Sequence, residues 1–273
     1  GRFRGIIRGS RQVRRSGLLS GPAWRSGDLA DARLAWSAPI SRWILAYNRQ
    51  SGSGLGTVFA DGLDAEGRFR EGPIEVGSGT GPIPIALRSL SAVVWWPSAV
   101  DLRFRVMPRP LGPGTADDSI SVPANARTSN SAAAEPYNDH VVVVAMEGRV
   151  VRAVTVDALG PTVAHGPVTV GLTAIVDRRP DLLAVPEEAL LALCYAIGLY
   201  SSSGGGGGEH VGFRMLRADG TPIGDEIPVT DEAWDAGTCA LGWTGDEFVV
   251  LTAAAATSDG CGSVQVRRIR PLL

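Results

Sequence analysis

Short apolar runs recur along the chain, each bounded by glycine, proline, serine or aspartate, and no segment sustains a helical period. Five runs stand out: Trp43-Ile-Leu-Ala-Tyr47, Ala92-Val-Val-Trp-Trp96, His140-Val-Val-Val-Val144, Ala189-Leu-Leu-Ala-Leu193 and Phe248-Val-Val-Leu251. Their starts lie 49, 48, 49 and 59 residues apart, and the long last interval holds Ser201-Ser-Ser-Gly-Gly-Gly-Gly-Gly208, which reads as an insertion.

Each run predicts the second strand of a repeated unit. Third-strand candidates follow at Gly56 to Leu63, Leu102 to Met107, Arg149 to Val156, Val211 to Leu216 and Val264 to Ile269. Fourth strands are expected at Gly72 to Val76, Asp118 to Val122, His165 to Val170 and Asp225 to Val229. The first strands would be Arg33 to Trp36, Pro84 to Leu87, Ala132 to Glu135, Asp181 to Val185 and Ala240 to Trp243. Hairpins such as Asp64-Ala-Glu-Gly67 and Ala218-Asp-Gly220 supply the positive φ that tight turns need. A calcium loop would require more carboxylates than Asp64 and Glu66 offer.

Four strands per repeat, five times over, predict an all-β five-bladed β-propeller of four-stranded antiparallel blades in a single domain over 1–273. The blades would span about 32–80, 81–130, 131–180, 181–237 and 238–273. The last copy offers only three strands. Phe3 to Leu19 can be laid on Val58 to Ile74, so a strand from residues 1–22 is expected to close the last blade. Arg2 to Ile7 also has the pattern of a third strand, and its place is left open.

Gly242-Trp-Thr-Gly-Asp-Glu-Phe-Val-Val250, with the hairpin Ala218-Asp-Gly-Thr-Pro-Ile-Gly224, resembles the repeats of secreted bacterial β-propeller proteins. The second and third copies lack the Trp-x-Gly-x-x-Phe run. The resemblance implies blades and leaves activity open.

All 26 basic residues are arginine, which excludes a Walker loop, a Schiff-base lysine and a Ser-Lys dyad. The net charge of -2 hides an asymmetry, because Arg2, Arg4, Arg8, Arg11, Arg14, Arg15 and Arg25 all precede the first acid, Asp28. That arm reads as a charged edge strand or a route to self-assembly rather than a nucleic-acid binder. No run is long enough to span a membrane, and no signal peptide opens the chain, which would then be cytosolic or already processed. Of three cysteines, Cys239 and Cys261 fall near one another in the last blade and form a possible disulfide, which would place the protein in an oxidising extracellular or periplasmic compartment. Cys194 reads as a small buried hydrophobe.

No Gly-x-Ser-x-Gly elbow occurs, and only His140, His165 and His210 could serve a triad. The glycine runs 52–56 and 77–81 open no helix, so they do not form phosphate loops. No metal or cofactor is expected. Acid pairs such as Asp117-Asp118, Glu187-Glu188, Asp225-Glu226, Asp231-Glu232 and Asp246-Glu247 fall in turns or outer strands, leaving Glu135 and Asp181 as the acids of inner strands. The aromatics Trp36, Trp95, Trp96, Trp234 and Trp243 near strand ends are candidate stacking platforms for a glycan or anchors for a protein partner. The first expectation is a non-catalytic exported propeller that binds a glycan or a protein, or serves as a structural subunit. The alternative is a glycoside hydrolase or lyase at the axial funnel.

Overall fold

The computed structural model describes residues 29–37, 40–49, 56–79, 82–85, 92–97, 102–107, 118–120, 132–137, 140–147, 150–157, 162–172, 180–185, 188–198, 209–230, 236–254 and 263–271. These form five antiparallel sheets in which consecutive strands pair in chain order. The first holds β1 (Leu29–Ser37), β2 (Arg42–Arg49), β3 (Gly56–Leu63) and β4 (Phe69–Gly79). The second holds β5 (Ile83–Ile85), β6 (Ala92–Pro97), β7 (Leu102–Met107) and β8 (Asp118–Ile120). The third holds β9 (Ala132–Tyr137), β10 (His140–Glu147), β11 (Val150–Asp157) and β12 (Thr162–Leu172). The fourth holds β13 (Asp181–Val185), β14 (Leu190–Gly198), β15 (Glu209–Arg217) and β16 (Pro222–Pro228). The fifth holds β17 (Ala236–Trp243), β18 (Phe248–Ala254) and β19 (Val264–Ile269).

The second strands are apolar without alternation because both faces are covered. Val141, Val142, Val143 and Val144 are all buried, as are Leu190 through Ala196. One face of β14 joins Val142, Val144 and Val151 of the third sheet, and the other joins Leu241, Phe248 and Val250 of the fifth. Stacking sheets on both faces is what forces this continuous pattern. A third core lies between the first and second sheets, around Ile44, Val58, Val94 and Met107. The innermost strands β1, β5, β9, β13 and β17 lie side by side in chain order.

At three of the interfaces an arginine crosses between sheets. Arg105 on β7 donates to the Glu75 carbonyl of the first sheet at 2.9 Å, and Arg214 on β15 to the Val170 carbonyl of the third at 2.9 Å. Arg267 on β19 donates to the Pro228 and Val229 carbonyls beside the fourth sheet at 2.7 and 3.1 Å. Each sits two residues before a buried apolar side chain, Met107, Leu216 or Ile269, that faces the same preceding sheet. On β3 that position, two before buried Leu63, is Asp61.

Several boundaries and one bond differ from the sequence reading. β1 begins at Leu29 rather than Arg33, past an irregularity between Ala30 and Arg33 that interrupts the alternation. The fourth strands β4 and β12 run to 11 residues each, well beyond their predicted ends. The turn before β18 spans four residues, closed by the Thr244 amide on the Glu247 carbonyl at 3.1 Å. Cys239 bonds to Cys194, not to Cys261, with Cα atoms 6.3 Å apart. Cys194 lies on the face of β14 that meets the fifth sheet, so its place in an apolar run marked an interface and not a free thiol. Cys261, and the closing strand expected from residues 1–22, lie outside the described residues.

Candidate functional site

The inner strands carry three acids. Asp31 is on β1, Glu135 is on β9 opposite Val142, and Asp181 opens β13 opposite Cys194. Asp31 escaped the sequence reading because the strand was started at Arg33, and the irregular register between Ala30 and Arg33 hides the strand's true beginning. Asp181 is half-buried, and its Oδ2 accepts the Leu241 amide of β17 at 2.7 Å. With the Cys194–Cys239 bond alongside, the inner edges of the fourth and fifth sheets are tied twice.

The candidate tryptophans separate. Trp36 ends β1 and lies against Trp43 across the hairpin, with ring centroids 5.3 Å apart in an edge-on arrangement and both rings more than a third exposed. Trp243 holds the matching position on β17 but packs on Phe248 at 4.6 Å, within the core between the fourth and fifth sheets. Trp95 and Trp96 are on β6, opposite Phe104 and Arg103 of β7. Trp234 lies outside the described residues. The structure therefore brings Trp36 to Trp43 and does not gather the predicted five into one platform.

Two buried tyrosine–carboxyl pairs were not foreseen. The Tyr195 hydroxyl on β14 donates to Glu226 on β16, and burial, then that bond, push the phenol above its ordinary range. Tyr47 on β2 is hydrogen-bonded to Asp61, and burial dominates there too. Asp61 is 2 % exposed; burial raises its carboxyl to about 6, against the opposing pull of the Tyr47 hydroxyl and Arg49. Asp64, in contrast, is held below the usual carboxylate range: burial pulls upward, but the Arg68 amide and the Arg68 and Arg70 guanidinium groups outweigh it. That carboxyl locks the β3–β4 turn and has no free lone pair for a calcium ion.

A cavity of about 350 Å³ opens between β4 and β7, lined by Glu75, Val76, Gly77, Ser78, Arg103 and Arg105. His140 is exposed at the head of β10, His165 lies on β12 and His210 on β15, so the three do not form one site. Among the described residues no cluster of His, Cys, Asp and Glu is arranged to hold a metal ion. No helix among them is long and apolar enough to cross a membrane.

No protein-family model matches the chain, and no curated protein matches it in sequence. Solved structures do resemble it. An endo-arabinase from Bacteroides thetaiotaomicron is 10% identical with a TM-score of 0.46, the match covering 91% of this chain and 95% of that one. An exo-β-1,3-galactanase from Phanerochaete chrysosporium is 12% identical with a TM-score of 0.49, over 88% of this chain and 60% of that one. The β-propeller domain of the Trilobed protease from Pyrococcus furiosus, described as having an open velcro topology, is 9% identical with a TM-score of 0.43, over 89% and 72%. What the chain itself shows is an all-β arrangement of antiparallel sheets, four of them four-stranded, paired in chain order. The arabinase and the galactanase are enzymes by name, which goes against the first expectation from the sequence, a non-catalytic binding or structural subunit.

Proposed function

We propose that the chain hydrolyses glycosidic bonds, with its site along the inner strands. The observation that supports this is the placement of Asp31, Glu135 and Asp181 on the innermost strands of the first, third and fourth sheets. Glycoside hydrolysis needs a carboxylic acid to protonate the leaving oxygen and a second carboxylate to activate water or attack carbon. Asp181 has one oxygen committed to the Leu241 amide, which supports a positioning role for Asp181 and leaves Glu135 and Asp31 as the proposed acid and base. The edge of Trp36 and Trp43 would offer an exposed ring surface for a sugar. The Cys194–Cys239 bond fits a protein working outside the reducing cytosol. The same reading takes the five sheets as blades of one ring, closed by a strand from the N-terminal segment.

The test is release of reducing ends from arabinan, xylan and β-1,3-galactan by the purified chain. Glu135→Gln and Asp31→Asn should each lower kcat by about 100-fold or more with the fold unchanged. Folded protein that releases nothing from any of the three polymers would overturn the proposal.

A further inference from the structure

The fourth and fifth sheets share no strand ladder, yet their inner strands are joined at one level by two neighbouring bonds. Asp181 stands directly opposite Cys194 across the β13–β14 pair, so both side chains take the face that meets the fifth sheet. The residues they reach on β17, Leu241 and Cys239, are two apart and share a face in turn. The disulfide and the hydrogen bond from the Leu241 amide to the Asp181 carboxylate are therefore adjacent braces on the same two strands.

The two sulfurs differ in shelter. Cys194 is fully buried, whereas Cys239 is half-buried. Opposite Cys239 on β18 is Thr252, whose buried hydroxyl has no hydrogen-bond partner among the described residues. A buried hydroxyl without a partner costs stability, and a thiol facing it supplies one.

We propose that the Cys194–Cys239 bond is a redox-sensitive latch on the Asp181 carboxylate: a small thiol reductant opens it, loosens β17 and releases the carboxylate from the Leu241 amide. The reductant's thiolate attacks the Cys239 sulfur, the S–S bond breaks, and its electron pair leaves on Cys194 as a thiolate. A second thiolate displaces Cys239 from the mixed disulfide, so the reductant ends as its own disulfide and the two cysteines carry the two electrons. The Thr252 hydroxyl donates to the Cys239 sulfur in the reduced chain, which favours the open state. The coupling of the disulfide to Asp181 is independent of the proposed hydrolysis. Its effect on turnover rests on that reading, in which Asp181 is a positioning residue.

Hydrogen exchange of the full-length chain, oxidised and after dithiothreitol, tests the latch. Reduction should speed exchange of the Leu241 amide at least about tenfold and leave the amides of β10 in the third sheet unchanged. Asp181→Ala should speed the same amide in the oxidised chain and add little once the bond is reduced. Thr252→Val should make the bond harder to reduce in a glutathione buffer, by about threefold or more in the equilibrium constant. On a polymer that the chain cleaves, reduction should lower kcat with KM little changed, reoxidation should restore it, and the Cys194→Ala, Cys239→Ala variant should ignore the reductant. The proposal is overturned by a bond that dithiothreitol leaves intact in the folded chain, by an unchanged Leu241 amide, or by an Asp181→Ala effect of equal size in both redox states. Loss of protection in β10 as well would also overturn it, because the bond would then be a staple of the whole fold. If no polymer is cleaved, the hydrolytic reading fails and the exchange contrast still decides the latch.

Discussion

The Asp181 carboxylate accepts the Leu241 amide at 2.7 Å, so the inner strand of the fourth sheet holds the inner strand of the fifth through a side chain and not through a ladder. An ionised acceptor makes the stronger kind of hydrogen bond, and removing it leaves a strand-edge amide with no partner. Asp181→Ala should therefore cost about 1–3 kcal/mol of stability. Asp181→Asn keeps an acceptor oxygen and should cost less. Denaturant unfolding of the two variants measures the difference; equal losses would mean that the carboxylate does not hold β17.

The Cys194–Cys239 bond closes a loop with a sequence separation of 45. Cross-linking a loop of that length restricts the unfolded chain by about 4 kcal/mol in the chain-entropy model. The Cys194→Ala, Cys239→Ala double variant should fall in stability by up to that amount. Peptide mapping without reductant should show Cys194 joined to Cys239; a Cys239–Cys261 peptide would refute the assignment.

Much of the architecture was legible because turn chemistry and apolar runs recur at one period. β3, β7, β13 and β19 fall on the residues that the repeat predicts. What stayed hidden depends on which face a residue takes. In β14 every position from Leu190 to Ala196 is buried, so parity carried no signal, and nothing in the sequence showed that Cys194 faces β17. Asp31 was lost at an irregular register, where alternation fails as a guide. Asp61 was inside a predicted strand, but its meaning depends on comparison with Arg105, Arg214 and Arg267, three contacts that only the stacking of sheets reveals.

Asp61 gives the fold a pH dependence of definite sign. Its carboxyl is raised from 3.8 to about 6, so between these values the folded chain binds more protons than the unfolded one. Stability then falls as pH rises through about 4 to 6, by as much as ~3 kcal/mol for a shift of this size. Chemical denaturation at several pH values measures it, and Asp61→Asn should flatten the curve. A slope that persists in Asp61→Asn would assign it to another group.

Gly166 occupies β12 at φ +98, a region that side-chain-bearing residues rarely adopt. A Cβ there would also meet the Ala153 carbonyl at 2.7 Å and the Val154 Cα at 3.3 Å, both backbone atoms of the adjacent strand β11. Gly166→Ala combines the left-handed penalty with a clash that no side-chain rotation relieves, and should cost about 2 kcal/mol or more. Thermal unfolding checks it. Gly67, at φ +82 in an open turn where a Cβ meets nothing within 4 Å, provides the control: Gly67→Ala carries the backbone penalty alone and should cost less.

The cross-sheet arginines predict a graded series, because the same bond is made at different depths. Arg214 is half-buried and donates both to Val170 of the third sheet and to Gly224 of its own sheet, at 2.9 and 3.1 Å. Arg267 makes the equivalent contacts to Pro228 and Val229 from an exposed position. Methionine keeps the aliphatic stem and deletes the donors, so it isolates the hydrogen bonds from the packing. Arg214→Met leaves a sheltered carbonyl unsatisfied and should cost about 1.5–3 kcal/mol. Arg267→Met exposes its acceptors to water, which replaces the lost bonds, and should cost less than about 1 kcal/mol. Equilibrium denaturation of the two variants ranks them. A larger loss at Arg267 than at Arg214 would show that the charge, and not the shelter of the bond, decides what these arginines contribute.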